Sequence, residues 1–139
     1  MSVPSKEERY DEAISLKEGG DLTQAIQKLE TLCEDFPEYA LPHAALSMFY
    51  CKEGDFEKSL NHAAKVCQLE PEDPFSFTAM SILARKSGDK TAAEEALSQA
   101  QAAQLNYYRA LMEKRQAQTQ SEMESASEEK KPEQEENEK

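Results

Sequence analysis

The side chains of this 139-residue chain that could attack a substrate, ligate a metal or pass protons near neutral pH are few: Cys33, Cys51, Cys67, His43 and His62. The cysteines lie 18 and 16 residues apart. An odd number without close pairs suits neither a disulfide frame nor a zinc knuckle, so free thiols buried in a reducing compartment are expected. A nucleophile pair of Cys51 or Cys67 with a histidine would need an electropositive setting to hold the thiolate. A net charge of −12 supplies the reverse. No H-E-x-x-H or similar ligand spacing occurs, and no glycine-rich phosphate loop. The reading is no catalytic residue, no metal and no cofactor, with His43 a satisfied interior ring and His62 on an outer face.

Composition removes further classes. Lys and Arg number 16 against 28 Asp and Glu, whereas nucleic-acid binding relies on basic side chains that displace counterions from phosphates. The same sign disfavours anionic membrane surfaces. No window approaches the roughly 18–20 apolar residues of a membrane span. The first ten residues hold no apolar stretch suited to a secretory signal, so a cytoplasmic chain is expected. Aromatic residues make up only 7% and Trp is absent. A core of that kind is assembled from many small contacts, as between helices rich in Ala and Leu.

The elements that would position any site follow from an internal period. Gly20-Asp21, Gly54-Asp55 and Gly88-Asp89 recur every 34 residues, and Pro37 and Pro71 are also 34 apart. Five residues after each Gly stands a small side chain, Ala25, Ser59 or Ala93, and seven further on Leu32, Val66 or Ala100. Each mark has a local cause. Gly enters the left-handed region that ends a helix. The Asp after it caps the next helix by accepting backbone N–H bonds. A small residue lets two helices approach, and Pro stops the second helix because it has no N–H and clashes with the preceding turn. The unit is helix, tight turn, helix, tight turn.

Boundaries read this way are Ser5–Glu18 with Leu22–Asp35, Ala40–Lys52 with Phe56–Leu69, and Pro74–Lys86 with Lys90–Ala103. Ser5 and Glu8 form a capping-box pattern, and Asp73-Pro74 is a cap with Pro at the first helical position.

A 34-residue helical hairpin resembles the tetratricopeptide repeat (TPR) family. The middle repeat carries the resemblance most fully, with Leu46, Tyr50, Gly54, Leu60, Val66 and Pro71 at the family's signature sites. Ser47 and Ser59 stand at small-residue sites, and His43 replaces the usual Trp. In the third repeat Phe77 takes that site, followed by Ala93, Leu97 and Ala100. The first helix departs, with Arg9 and Glu12 where apolar residues are usual. The resemblance covers residues 5–104, in repeats 5–38, 39–72 and 73–104, after a short extension at 1–4. It implies an all-α fold, a right-handed superhelical stack of three helix–turn–helix hairpins with a C-terminal capping or extended helix. That last segment is placed at 105–118, where Leu105 stands in place of a third closing Pro. Tyr107, Tyr108, Leu111 and Met112 are expected to cover the end of the stack.

The resemblance also implies where a partner sits. In the family, the first helices of successive hairpins line a concave groove. In this chain that pattern puts Tyr10 and Ile14, then Leu41, Ala44 and Met48, then Phe75, Thr78 and Ile82 on the floor. Lys17, Lys52, Arg85 and Lys86 fall at an edge near the Gly turns. The expected function is a non-catalytic adaptor that binds an extended or helical segment of another protein. The alternative is a scaffold that assembles with itself through its C-terminal helix and stack ends. The family's clamp for chaperone C-terminal carboxylates needs polar or basic residues where this chain has Leu41, Ala45, Phe75 and Ala79, so that ligand is not expected.

Residues 119–139 are read as a disordered acidic tail, since 121–139 hold 8 acids and 3 bases with only Met123 and Ala126 apolar. Glu128, Glu129, Glu133, Glu135 and Glu136 could visit the basic edge of the groove.

Overall fold

The computed structural model describes residues 2–129. Its elements are α1 (Lys6–Glu18), α2 (Leu22–Asp35), α3 (Ala40–Glu53), α4 (Phe56–Leu69), α5 (Pro74–Ser87) and α6 (Lys90–Glu129). Among the described residues there is no strand, and no helix is long and apolar enough to cross a membrane. The chain forms two units, one ending at Gln104 and one beginning at Leu105.

The first unit repeats one local geometry three times. Gly20, Gly54 and Gly88 have φ of +95°, +81° and +88°, the left-handed conformation that L side chains avoid. The following Asp N–H then reaches back five residues, from Asp21 to the Leu16 carbonyl, Asp55 to Tyr50 and Asp89 to Ala84, at 2.9–3.0 Å. Each Asp carboxylate next accepts from the N–H three residues on, at 3.1 Å from Gln24, 3.2 Å from Lys58 and 3.0 Å from Ala92. One Gly-Asp pair thus closes one helix and opens the next, satisfying backbone groups that both ends leave free. Pro37 and Pro71 each follow the last residues of a second helix. Ser5 accepts from the Glu8 N–H at 3.1 Å and caps α1.

Packing follows chain order, with α1 on α2, α2 on α3, α3 on α4 and α4 on α5. The core of the first two repeats joins Ala13, Ala25, Ile26, Leu29, Leu46, Phe49 and Tyr50. Burial of each large side chain contributes about 1.5–3 kcal/mol relative to exposure. The small residues at the shared repeat position, Ala25, Ser59 and Ala93, are all buried. Ser59 goes further: its hydroxyl donates to the Ser47 carbonyl at 2.6 Å, a link from α4 to α3. Arg9 and Glu12, the polar departures in α1, form ion pairs to α2 with Asp35 at 2.8 Å and Lys28 at 2.7 Å. In α6 the buried residues are Ala93, Ala96, Ala100 and Ala103, one face of a helix at spacings of three and four.

Beyond Ala103 the last helix takes the extended form of the two that the sequence reading left open: α6 continues through Asn106 without interruption. Tyr107, Tyr108, Leu111 and Met112, expected to cover the end of the stack, are 53%, 51%, 46% and 63% exposed. Order does not stop at 119. The helix runs on to Glu129, where a disordered tail was expected from composition. The reason is intrinsic propensity. From Lys90 to Glu129 there is no Gly or Pro, and Ala, Glu and Gln dominate. Side chains also pair one turn apart, Gln118 to Glu122 at 3.3 Å and Gln120 to Glu124 at 3.4 Å. Glu133, Glu135 and Glu136 lie outside the described residues.

Candidate partner-binding groove

Helices α3 and α5 hold parallel series of side chains set by helical spacing. Leu41, Ala44, Met48 and Lys52 recur every three or four residues along α3, and Phe75, Ala79, Ile82 and Lys86 along α5. Such spacing keeps each series on one face. The opposite faces of the same helices are consumed by the core, with Leu46, Phe49 and Tyr50 buried on α3 and Leu83 and Ala84 on α5. What remains outward is unusually apolar. Leu41 is 49% exposed, Met48 54%, Phe75 79% and Ile82 48%.

These residues enclose two open clefts that share Ala79. One, of about 280 Å³, is lined by Leu41, Ala44 and Phe75 with Ala63 and Val66 of α4 behind them, and Glu70 and Asp73 at its margin. The other, of about 570 Å³, is lined by Met48, Ile82, Phe56 and Leu83, with Lys52 and Lys86. The apolar surface therefore runs from an acidic margin to a basic one. Sequence reasoning placed the apolar floor and the basic edge but missed Glu70 and Asp73. Asp73 was read only as a helix cap, a role it also fills by accepting from the Phe75 N–H at 3.0 Å.

Other residues assigned to the groove from sequence do not line either cleft. Tyr10 and Ile14 are half-buried and pack against the core cluster. Tyr10 meets Tyr39 edge to face, with ring centroids 6.3 Å apart. Lys17 lies 5.9 Å over the Phe49 ring, so its stem covers core surface rather than standing free. Arg85 is exposed on α5 but does not line either cleft. Thr78 is exposed, and its hydroxyl donates to the Pro74 carbonyl one turn back at 2.9 Å. Of the repeat marks, Phe77 is half-buried and lines an open cleft formed by α4, α5 and the start of α6.

A second cluster was not visible in the sequence at all. Cys33 at the end of α2, His43 at the start of α3 and His62 in mid-α4 bring one ligating atom each within 4.8 Å of the others. The His43 and His62 Nδ1 atoms are 3.0 Å apart, and the Cys33 Sγ lies 3.7 Å from His43 Nδ1. His62 is half-buried, not on an outer face; it stacks on Tyr50 at 5.8 Å with an interplanar angle of 11°. Burial pushes both imidazoles below their ordinary range, with Lys65 acting in the same direction on His43, and the His43 and Lys58 charges on His62. The bond from His43 to the Pro37 carbonyl opposes this in part. Burial, reinforced by Glu30 and Glu34, pushes the Cys33 thiol up to about 11. A neutral thiol beside neutral rings is the opposite of an activated nucleophile.

No family model matches the chain, and no curated protein does. Solved structures do resemble it. A CopN–Scc3 complex aligns with a TM-score of 0.67 at 18% identity, over 74% of this chain and 61% of that one. The MamA crystal structure aligns at 0.69 and 16% identity, over 76% of this chain and 61% of that one. The type III secretion translocator chaperone SycD of Yersinia enterocolitica, in an alternative dimer, aligns at 0.65 and 16% identity, over 94% of this chain and 98% of that one. The chain thus spans about three fifths of the first two, 61% in each case, and nearly the whole of the third. These are TPR-type helical repeat folds, and at such identities the likeness establishes the architecture.

Proposed function

We propose that this chain is a non-catalytic protein-binding module whose α3–α5 face takes a segment of another protein. The observation that carries this is the set of four large apolar side chains, Leu41, Met48, Phe75 and Ile82, left 48–79% exposed in two adjoining clefts. A contiguous apolar surface with a polar rim marks an interaction site. The occupant is an extended or helical segment with apolar side chains at intervals. Its acidic end lies toward Lys52 and Lys86, and its basic end toward Glu70 and Asp73. Charge at the two margins sets direction, and apolar anchors supply most of the affinity. Similar folds in a two-protein complex and in a secretion chaperone accord with a binding role without naming a partner.

Selection from a random peptide library tests this reading. The expected winners carry apolar anchors with acidic residues at one end, and they bind Phe75→Asp or Met48→Asp at least tenfold more weakly while helicity is unchanged. Winners that bind both variants as well as the native chain would place the site elsewhere.

A second reading rests on α6. Leu105, Tyr107, Tyr108, Leu111 and Met112 form an exposed apolar stretch on one helix, which suits a helix from a second copy. Sedimentation over a wide concentration range tests it. A mass that rises with concentration and reverts to monomer in Leu111→Glu supports assembly; a constant monomer mass removes it.

A further inference from the structure

The repeat marks, the groove and the exposed stretch of α6 leave one group of side chains without a role: Cys33, His43 and His62. We propose that these three residues form a transition-metal site of two imidazoles and one thiolate, with Zn2+ as the ion and a water molecule as fourth ligand.

The geometry is that of a ligand triangle. Tetrahedral zinc, with Zn–N near 2.0 Å and Zn–S near 2.3 Å, separates two nitrogens by about 3.3 Å and a nitrogen from a sulfur by about 3.6 Å. The observed separations are 3.0 Å between the two Nδ1 atoms and 3.7 Å from Cys33 Sγ to His43 Nδ1. The remaining edge is no longer than 4.8 Å, so closing the triangle needs at most about 1 Å of movement, within reach of a cysteine rotamer.

The donors are oriented for the task. His43 Nε2 is 3.3 Å from the Pro37 carbonyl. A carbonyl only accepts, so Nε2 carries the proton and the Nδ1 lone pair faces His62 and Cys33. A backbone carbonyl on the far nitrogen is the usual second-shell partner of a ligating histidine. The ring is also locked, since His43 is 7% exposed. The 3.0 Å contact then makes His62 Nδ1–H the donor to His43. When the ion enters, that proton moves to His62 Nε2 and the Cys33 proton passes to solvent, leaving both Nδ1 lone pairs and a thiolate on the metal. By whole-residue exposure Cys33 and His62 are half-buried, so two of the three ligands keep some contact with solvent. Glu30 and Glu34, whose charges act on Cys33, favour a cation; Lys58 and Lys65, which act on the histidines, oppose it. The mixed sulfur and nitrogen donor set selects Zn2+ over the hard ions Mg2+ and Ca2+.

The consequence is mechanical. The three ligands come from α2, α3 and α4, so a bound ion ties the first hairpin to both helices of the second. An ion held by the folded chain alone raises its stability by mass action.

The test uses the full chain, reduced and freed of metal, titrated with Co2+ as a spectroscopic probe and then with Zn2+. The expected result is one ion per chain, tetrahedral ligand-field bands, a thiolate-to-cobalt charge-transfer band, bleaching of both by Zn2+, and a higher melting temperature with Zn2+. His43 is buried and its replacement could unfold the chain, so the variants are Cys33→Ser and His62→Gln, with Cys51→Ser as control. Cys33→Ser loses the charge-transfer band, both variants bind at least tenfold more weakly, and the control is unchanged. An octahedral cobalt spectrum without the charge-transfer band overturns the proposal. So does binding that survives Cys33→Ser and His62→Gln, which would assign the ion to surface carboxylates, or binding lost in Cys51→Ser.

Discussion

Ser59 separates two reasons for a small residue where paired helices cross. It is fully buried, and its hydroxyl donates to the Ser47 carbonyl at 2.6 Å. Ser59→Ala removes the bond and leaves space. A buried hydrogen bond contributes about 0.5–1.5 kcal/mol net, but Ala is the better helix former by roughly 0.5 kcal/mol. The Ser47 carbonyl, inside α3, also keeps its helical partner. The net loss is about 0.5 kcal/mol, or about 2–4 °C in melting temperature for a unit of this size. Ser59→Thr keeps the hydroxyl and adds a methyl group at a fully buried helix contact. Overpacking costs about 1–3 kcal/mol, so Thr lowers the melting temperature by about 4 °C or more. The expected order of stability is Ser, then Ala, then Thr, read by circular dichroism at the helical band during thermal and urea unfolding. Thr as stable as Ala, or better, would refute the claim that α3 and α4 meet tightly here.

The same logic applies where the contact has no hydrogen bond: Ala93→Leu in α6 should cost about 1–3 kcal/mol by overpacking, and an unchanged urea midpoint would count against it. Gly54→Ala places a Cβ at φ +81° with no atom within 4 Å, so the loss is conformational strain alone, about 1–2 kcal/mol; Gly54→Asn should lose less, and a clash would instead penalise Asn more. The folded chain holds the His43 and His62 pKa values below their ordinary range through burial, so the unfolded chain takes up protons first as pH falls. Metal-free protein should therefore lose stability as pH drops below about 6.5, and His62→Gln should make the fall in melting temperature between pH 7 and 5 shallower, His43 keeping its share; a native profile already flat there would contradict the buried placement.

What the sequence settled is what short-range physics settles. A left-handed Gly, an Asp cap and a stopping Pro act within a few residues, so their 34-residue recurrence located the ends of α1–α5 to within one residue. The resemblance to the repeat family implied Leu41 and Met48 on one helix and Phe75 and Ile82 on another as groove residues, and helical spacing keeps each pair on one face. An extended α6 was also open to the sequence, in forty residues without Gly or Pro; its course beyond 119 follows from helix propensity, where composition pointed to disorder. Other features were decided by packing between elements. Tyr10 and Ile14 share the groove pattern, yet α1 sits where they meet the core. Cys33, His43 and His62 are separated by 10 and 19 residues along the chain, on three helices, and no spacing rule links them. Their meeting depends on how closely α2, α3 and α4 approach and how each is rotated. Leu29, Leu46 and Ser59, all fully buried, restrict that rotation, since close packing around them leaves the helices little freedom to turn.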